Sequence, residues 1–368
     1  MLRRKLSNHA MIDYYEIKSQ PITRVMVLQA YKKVRANRGS GGVDDMDWEW
    51  LDNNLKPELY KLWNRLTSGS YFPMPVKEVP IKKKGGGERK LGIPTLLDRI
   101  AQQVAKTHLE RILEPHFHNS SFGYRPARNC HQAVAQANKN TYNHDFVIDM
   151  DIKGFFDNID HELLMKAVRF YCDDKWMEIN HPEKPFERYA DDVVVHCKTE
   201  KQAIFMLKQI DGRLRKCKLT LHPEKTKIVN VRGRSEKKYP KSYDFLGFTI
   251  RPHWVKVNSK MMLMPSMFMS RKSKNSVMEK FRELNIHKRR KPLEVIASEV
   301  RPIIQGIINY YCKFSSNHTR EIWNQLNARL LKWVKWENGL YKMESVRWLK
   351  KKYKESPLLF PHWKLVYP

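Results

Sequence analysis

The sequence Tyr189-Ala190-Asp191-Asp192 places two adjacent carboxylates between two short β-prone runs. The runs are Glu187–Ala190 and Val193–Cys197, so the segment predicts an antiparallel hairpin with the acids at its turn. Two acids at one turn repel each other and rarely persist without a cation. The pattern therefore constrains both the local fold and the chemistry.

A third acid is predicted to join them from a separate strand. The apolar run Phe146-Val147-Ile148 leads into Asp149-Met150-Asp151. Residues two apart on a strand share a face, so either Asp149 or Asp151 could meet the hairpin acids on a neighbouring strand. A single strand aspartate is more often a salt-bridge partner or a turn cap. Three converging carboxylates instead predict a site for paired Mg²⁺ ions, which prefer oxygen ligands and support phosphoryl transfer.

The net charge predicts a nucleic-acid partner. Lys and Arg total 69 against 39 Asp and Glu, a net charge of +30. Residues 231–368 contain 30 of the basic and 10 of the acidic residues, which gives +20, and six of the ten tryptophans. Basic charge with flat side chains suits phosphate contacts and base stacking. For any single tryptophan, a place in the core is the more common outcome.

Cysteine usage and hydropathy limit the alternatives. The five cysteines lie far apart, with no C-x-x-C pair, which argues against zinc and a disulfide framework and fits a reducing cytoplasm. No apolar run approaches the roughly 20 residues of a membrane span, so no membrane partner is expected. The first residues, Met1-Leu2-Arg3-Arg4-Lys5, do not resemble a secretory signal.

Periodicity and turn residues give a coarse secondary structure. Helices are predicted over 22–38, 47–68, 99–113 with Asp98 as cap, 161–171 with Asp160 as cap, and 200–216. Strands are predicted over 76–83, 88–93, 146–148, 187–190, 193–197, 226–230 and 243–250. Only helical periodicity follows after about residue 270.

Six motifs occur in an order that resembles one known family. They are Arg89-Lys90-Leu91-Gly92-Ile93-Pro94-Thr95, Phe122-Gly123-Tyr124-Arg125-Pro126, Asp151-Ile152-Lys153-Gly154-Phe155-Phe156-Asp157, Tyr189-Ala190-Asp191-Asp192, Leu221-His222-Pro223-Glu224-Lys225-Thr226-Lys227 and Phe245-Leu246-Gly247-Phe248. The succession resembles the bacterial group II intron-encoded reverse transcriptase/maturase. Gly306-Ile307-Ile308-Asn309-Tyr310-Tyr311 and Phe360-Pro361-His362-Trp363-Lys364 resemble its thumb segment and its end.

The resemblance implies roles for single residues. Asp151, Asp191 and Asp192 match the catalytic, Mg²⁺-binding acids, and Lys225 matches a catalytic lysine near the leaving pyrophosphate. The nucleotide-binding matches are Lys83 and Arg89, which would hold the triphosphate, and Phe156, which would exclude a 2′-hydroxyl. Phe245-Leu246-Gly247 matches the primer grip, a role compatible with an ordinary core strand.

The resemblance also implies an α+β fold of the right-hand polymerase type, with an antiparallel palm sheet and an all-helical thumb. The expected parts are an N-terminal extension at 1–70, fingers at 71–125, a shortened palm at 126–255 and a thumb/maturase domain at 256–368.

The chain departs from the family between Cys172 and Tyr189. Family members carry several dozen more residues there, including a Pro-Gln-Gly-Gly turn and a long helix under the palm sheet. Pro182 and Pro185 prevent the short connection from forming that helix. An internal deletion is the simplest explanation, and it predicts greater exposure of Val193 and Val195 or their neighbours and weaker catalysis.

Two functions follow from the resemblance. The first is an RNA-directed DNA polymerase that copies intron RNA, with group II intron RNA as template, a DNA primer or target, and dNTPs. The alternative is a polymerase-deficient maturase that binds intron RNA and assists splicing. Either function implies a bacterial, cytoplasmic, nucleic-acid-associated protein. A retron-type or defence reverse transcriptase fits the thumb motif and the Phe360–Lys364 ending less well.

Overall fold

The computed structural model describes residues 21–82, 88–170, 175–232 and 238–368. Within these ranges the chain forms two compact units. Residues 21–117 and 165–170 make up the first, and residues 118–164 and 175–368 the second. The second unit contains all the predicted carboxylates.

The first unit is mainly helical. Its elements are α1 (Arg24–Ala36), α2 (Trp48–Asn53), α3 (Leu55–Ser68), β1 (Lys77–Lys82), β2 (Glu88–Ile93) and α4 (Leu96–Leu113). The helices bury Val27, Leu62, Ile100 and Val104 against one another, and β1 pairs with β2 as an antiparallel hairpin. The predicted helix over 47–68 is divided in two, with Asn54 between α2 and α3.

The predicted cap of α4 was wrong. Thr95 caps the helix, because its hydroxyl accepts from the N–H of Asp98 at 3.1 Å. Asp98 is instead 3% exposed, and its carboxylate accepts from the hydroxyls of Tyr71 and Thr95. The sequence signal was ambiguous because both residue types cap helices.

A four-stranded antiparallel sheet, named here the palm sheet, organises the second unit. Along the chain come α5 (Cys130–Thr141), β3 (Phe146–Met150), α6 (His161–Phe170), α7 (Lys175–Asn180), β4 (Phe186–Tyr189), β5 (Asp192–Cys197), α8 (Glu200–Lys216) and β6 (Lys227–Asn230). Of these, α6 begins in the second unit, and its residues 165–170 belong to the first. The strand order is β4-β5-β3-β6. The prediction of Asp160 as the cap of α6 is confirmed, and so is the predicted helix over 200–216.

The two faces of the palm sheet have different cover. One face packs Ile148 and Val195 against α8 through Ala203, Met206 and Ile210. On the other, Val147, Val194 and Val229 pack with residues of α5 and of a second sheet. The prediction of an uncovered Val195 was wrong, since it is 1% exposed. Val193 is half-buried, and Trp176 and Met177 of α7 add cover beside α8.

A second sheet continues past the predicted strand over 243–250. It consists of β7 (Tyr243–Phe245), β8 (Phe248–Val257) and β9 (Lys260–Met269), in the order β7-β8-β9. The two long strands, named here the ribbon, were not predicted beyond residue 250. Prolines, a histidine and several methionines interrupt the alternation that would have marked them. The expected start of the thumb at 256 falls inside β8.

Helices follow, as predicted, from residue 271. They are α9 (Arg271–Glu283), α10 (Leu293–Tyr311), α11 (Arg320–Asn338) and α12 (Lys342–Glu355). Trp323, Trp333 and Trp363 are buried in their core, whereas Trp254 on the ribbon and Trp336 are exposed. The α+β fold class is therefore confirmed, and most C-terminal tryptophans serve packing. No helix in the described part of the chain is long and apolar enough to cross a membrane.

Candidate nucleotidyl-transfer site

The hairpin at Asp191-Asp192 forms as predicted. Tyr189 pairs with Asp192 across β4 and β5, which leaves Ala190 and Asp191 as a two-residue turn. Ala190 has φ = 57°, in the left-handed region that two-residue hairpin turns require. Both acids thus stand at the end of the hairpin.

The end of β3 brings Asp151 beside this turn. Met150 pairs with Val193, so extending the antiparallel register by one residue sets Asp151 opposite Asp192. Paired residues of neighbouring strands project from the same face of the sheet. Asp149, two residues before Asp151 on β3, lies on the same face as Asp151 but is paired with Val194 and Lys227 rather than with Asp192. Of the two alternatives for the third acid, Asp151 lies in the row of Asp192.

The acids interact electrostatically. The side chain of Asp192 is accessible to solvent on one side. Desolvation by the surrounding protein, followed by the charges of Asp191 and Asp151, raises the pKa of its carboxyl. Lys272 and Lys225 oppose this shift. A divalent cation placed among these carboxylates would relieve the same repulsion.

Lys225 reaches the site from the segment that precedes β6. Its Nζ lies 2.9 Å from Oδ2 of Asp151. The segment is held in place through the main chain, since the N–H of His222 donates to the carbonyl of Asp151 at 2.7 Å and Leu221 bridges to Ile152. The predicted lysine and the predicted acid are therefore direct partners.

Two charged residues near the acids were missed by the sequence reasoning. Lys272, in the first turn of α9, opposes the rise in the pKa of Asp192, and Asp244, on β7, adds to the rise in the pKa of Asp149. They lie about 80 and 50 residues from the hairpin in a lysine-rich patch and a short strand. No local pattern distinguishes such residues, because the packing of the second sheet and of α9 brings them near.

The glycine of the Phe122-Gly123 motif supports the hairpin from its edge. The N–H of Phe122 donates to the carbonyl of Arg188 at 2.8 Å, and the N–H of Arg188 donates to that of Ser120 at 2.9 Å. A Cβ added at Gly123 would lie 2.4 Å from the backbone nitrogen of Ala190. Only glycine allows this backbone to approach the turn so closely.

We expect Gly123→Ala to lower the free energy of unfolding of the second unit by roughly 2 kcal/mol, because backbone must move to admit the methyl group. Urea denaturation followed by tryptophan fluorescence would measure this. Gly212→Ala is the matched control, since a Cβ there meets nothing within 4 Å and α8 gains helix propensity. Equal stability of the two variants would contradict the assigned role of Gly123.

The predicted primer grip is a tight turn tied to the helical part. Leu246 and Gly247 both have positive φ, 50° and 80°, between the paired residues Phe245 and Phe248. The Tyr310 hydroxyl donates to the carbonyl of Leu246 at 2.8 Å, and the N–H of Ser270 donates to that of Gly247 at 3.0 Å. The Tyr310-Tyr311 motif therefore positions this turn, while Phe245 is a core residue.

The predicted nucleotide-binding residues are placed less completely. Phe156 follows Asp151 in a short 3₁₀ turn, is 64% exposed, and packs edge-on against Phe155 at 5.2 Å between ring centroids. Arg89 lies on β2 of the first unit. Lys83 lies outside the described residues.

Asp151, Asp191 and Asp192 fit a divalent metal in three respects. Their oxygens are suitable ligands, the strand register brings them to one end of the sheet, and their mutual repulsion would be relieved by a cation. They do not form a closed cluster, since no group of three or more Asp, Glu, His or Cys side chains in the described ranges has metal-site geometry. Asp151 instead contacts the ammonium of Lys225. Asp151, Asp191 and Asp192 are the residues that would hold the ion.

Asp149 gives the site a pH dependence of stability. Burial first, and then the charges of Asp192 and Asp244, raise its pKa from 3.8 to about 7. The folded chain therefore binds more protons than the unfolded chain between these values, and its stability falls as pH rises from about 4 to 7. We expect Asp149→Asn to stabilise the metal-free protein by roughly 2 kcal/mol at pH 8 and much less at pH 5.

Urea denaturation at both pH values in EDTA measures this difference. Asp211→Asn, on α8, serves as control because Asp211 forms an ion pair with Arg215 on the same helix, at 2.8 Å, away from the three acids. A stability gain from Asp149→Asn that does not grow with pH would contradict the assignment.

Comparisons with known proteins agree with the motifs. A profile described as "Reverse transcriptase (RNA-dependent DNA polymerase)" matches in two stretches, residues 81–180 and 165–250. One described as "Group II intron, maturase-specific domain" matches residues 274–354. The first spans the motif-bearing strands, and the second covers most of α9–α12.

Curated relatives resemble parts of the chain. "Group II intron-encoded protein LtrA" of Lactococcus lactis is 34% identical over 149 residues, which are 40% of this chain and 25% of that protein. "Protein YkfC" of Escherichia coli is 34% identical over 180 residues, 46% of this chain and 47% of that protein. The chain thus spans less than half the length of these relatives. A telomerase structure from Candida albicans covers 84% of this chain and 70% of its own at 11% identity, with a TM-score of 0.37.

Proposed function

Since this chain belongs to the group II intron-encoded reverse transcriptases/maturases, we propose that it is an RNA-directed DNA polymerase that also binds its intron RNA as a maturase. The observation that carries the polymerase part is the β3–β5 register, which, extended by one residue from Met150 and Val193, sets Asp151 opposite Asp192 and beside the Asp191 turn. The turn residues Ala190 and Asp191 are half-buried and Asp192 is exposed, so a nucleic-acid end could reach these carboxylates from solvent.

In the proposed reaction, the 3′-oxygen of a DNA primer attacks the α-phosphorus of a dNTP. A new P–O bond forms, the bond to pyrophosphate breaks, and the hydroxyl proton is lost. Mg²⁺, when bound by Asp151, Asp191 and Asp192, would stabilise charge on the phosphates and on the attacking oxygen. Lys225 would interact with the departing pyrophosphate, and its exposed Nζ beside Asp151 is within the same group of side chains.

The residues around the acids support substrate positioning. Phe156 projects an exposed ring five residues after Asp151, where it would contact the sugar of the incoming dNTP. Lys83 and Arg89 would hold its triphosphate. The Leu246-Gly247 turn would contact the primer. Hydrogen bonds from Tyr310 and from Ser270, the N-cap of α9, hold its backbone in place for that contact.

The RNA-binding part rests on charge and on the maturase-specific segment. Residues 231–368 have a net charge of +20, and that excess predicts steeply salt-dependent binding to RNA phosphates. The partners we propose are group II intron RNA as template, a DNA primer or target, and dNTPs. Such partners would place the protein in the bacterial cytoplasm.

Two observations favour a second candidate, a polymerase-deficient splicing maturase. The ammonium of Lys225 occupies a carboxylate oxygen of Asp151. The connection between α6 and β4 is also short, and within its described residues α7 is the helix that covers the sheet beside α8. Both features would weaken polymerisation without affecting the basic helical part.

Primer extension on poly(rA)/oligo(dT) with labelled dTTP separates the two functions. We expect incorporation with Mg²⁺, its loss with excess EDTA and its return when Mg²⁺ is restored. RNA affinity is measured by filter binding on the same preparation at about 50 and 200 mM salt. If the protein binds RNA but incorporates no more dTMP than a protein-free control, the polymerase assignment is wrong and the maturase function alone remains. Absence of both would overturn the proposed function.

A further inference from the structure

Two neighbouring cavities lie along the base of the ribbon, and Phe268 of β9 lines both. The first, of about 490 Å³, lies between the ribbon, α5 and residues 314–318. The second, of about 500 Å³, lies between the ribbon and the start of α9. Each falls within the roughly 300–1,000 Å³ of small-ligand sites.

Flat rings and neutral polar groups surround the first cavity. The ring of Phe268 lies 5.2 Å from that of His253 and 5.8 Å from that of His318, between centroids. Its other lining residues include Tyr142, Phe314, Asn138, Ser266, Ser315 and Asn317. Aromatic faces with amide and hydroxyl groups suit an unstacked nucleobase, which stacks and forms hydrogen bonds at its edges.

The second cavity is basic. Its charged lining residues are Arg251, Arg271, Lys274 and Glu321. Glu321 is engaged by Lys274 at 3.3 Å, and the Arg251 guanidinium carbon lies 4.4 Å from the centroid of the Phe268 ring. The remaining excess of positive charge suits one phosphate group.

The two cavities are close enough to act on one ligand. Phe268 lines both, with the Arg251 guanidinium over its ring and the His318 ring 5.8 Å away between centroids. Burial lowers the pKa of His318, in the aromatic cavity, and the charge of Lys274, in the basic cavity, lowers it further. A base and its own phosphate are joined through one sugar, so a single nucleotide can reach both.

We infer that these cavities bind one unstacked nucleotide of single-stranded RNA, with its base among the rings and its phosphate on Arg251, Arg271 and Lys274. The inference rests on the proposed RNA-binding function and adds a site distinct from the three acids. The site gives sequence-tolerant affinity, because every base presents a face for stacking.

A single-stranded RNA oligonucleotide with one 2-aminopurine tests this inference by fluorescence titration. Wild-type protein is expected to change the emission of the probe on binding. Phe268→Leu keeps apolar volume but removes the ring, so we expect roughly 10-fold weaker binding and loss of the emission change. Phe205→Leu is the matched control, because Phe205 is a 54% exposed aromatic on α8 that lines neither cavity.

Arg271→Gln is a second variant that does not disturb the ribbon, since Arg271 is exposed at the start of α9. We expect weaker binding with a smaller salt dependence, because one phosphate contact is lost. Unchanged affinity and emission in both variants would overturn the inference. So would adenosine monophosphate competing as well as the oligonucleotide, which would assign the cavities to a free nucleotide.

The failure of this site and of the proposed function are distinguishable. Salt-dependent RNA binding without any probe response would remove the nucleotide site alone. Absence of RNA binding by the wild-type protein would remove both.

Discussion

Replacing Asp192 by asparagine is expected to reduce DNA synthesis on an RNA template by at least about 10³-fold. Asparagine has nearly the same volume but cannot supply an anionic ligand. The row of Asp192 and Asp151 would then lose half of its negative charge. Steady-state incorporation of dTMP on poly(rA)/oligo(dT) measures the effect.

The variant is not expected to lose activity by unfolding. Partial burial and the charges of Asp191 and Asp151 raise the pKa of Asp192, so removal of its charge relieves repulsion in the metal-free protein. Its urea midpoint should equal or exceed that of the wild type. Asp211→Asn, which removes a carboxylate from α8, should leave synthesis unchanged.

RNA affinity separates catalysis from binding in the same variant. The acids lie outside the basic helical part, so filter binding to RNA should not weaken. Synthesis by Asp192→Asn at more than about a tenth of the wild-type rate would exclude Asp192 from the catalytic site. That result would leave RNA binding as the function.

Replacing Glu187 by alanine is expected to lower the free energy of unfolding by roughly 3–5 kcal/mol. Glu187 and His196 are both fully buried, and Oε2 of Glu187 lies 2.6 Å from Nε2 of His196. The other carboxylate oxygen accepts from the side-chain amide of Asn140 at 2.6 Å. Alanine would leave the buried His196 and the half-buried Asn140 without these partners, beside a new cavity.

The effect should be visible as a fall in the thermal midpoint of roughly 8–15 °C. Glu187→Gln is the matched control, because a glutamine can still accept from His196 and so should cost only about 1 kcal/mol. Because Glu187 lies on β4, two residues before Tyr189, loosening of the hairpin should also reduce synthesis. A thermal midpoint within about 2 °C of the wild type would show that the pair adds little stability.

Much of the site was predictable from local sequence. The turn at Asp191, the strand before Asp151 and the shared face of alternating residues follow from spacing alone. So do the cap at Asp160 and the helix over 200–216. These features depend on residues adjacent along the chain, where alternation and turn chemistry act directly.

Features that join distant segments were not predictable in the same way. Lys272 and Asp244 influence the acids because α9 and the second sheet, which contains β7, pack beside the palm sheet. The buried Glu187–His196 pair could not be predicted from the sequence, since an acid and a histidine in β-prone runs usually face solvent. Val195 was expected to be exposed, yet α8 covers it.

The sequence by itself determined the acidic hairpin, the order of the motifs, the excess of positive charge and the helical C-terminal part. These properties are local or additive along the chain. The tertiary structure decided that Asp151 rather than Asp149 lies in line with Asp192, that Lys225 pairs with Asp151, and that Phe268 lines two cavities. Register and packing set those choices, because they fix which distant side chains come within a few ångströms of one another.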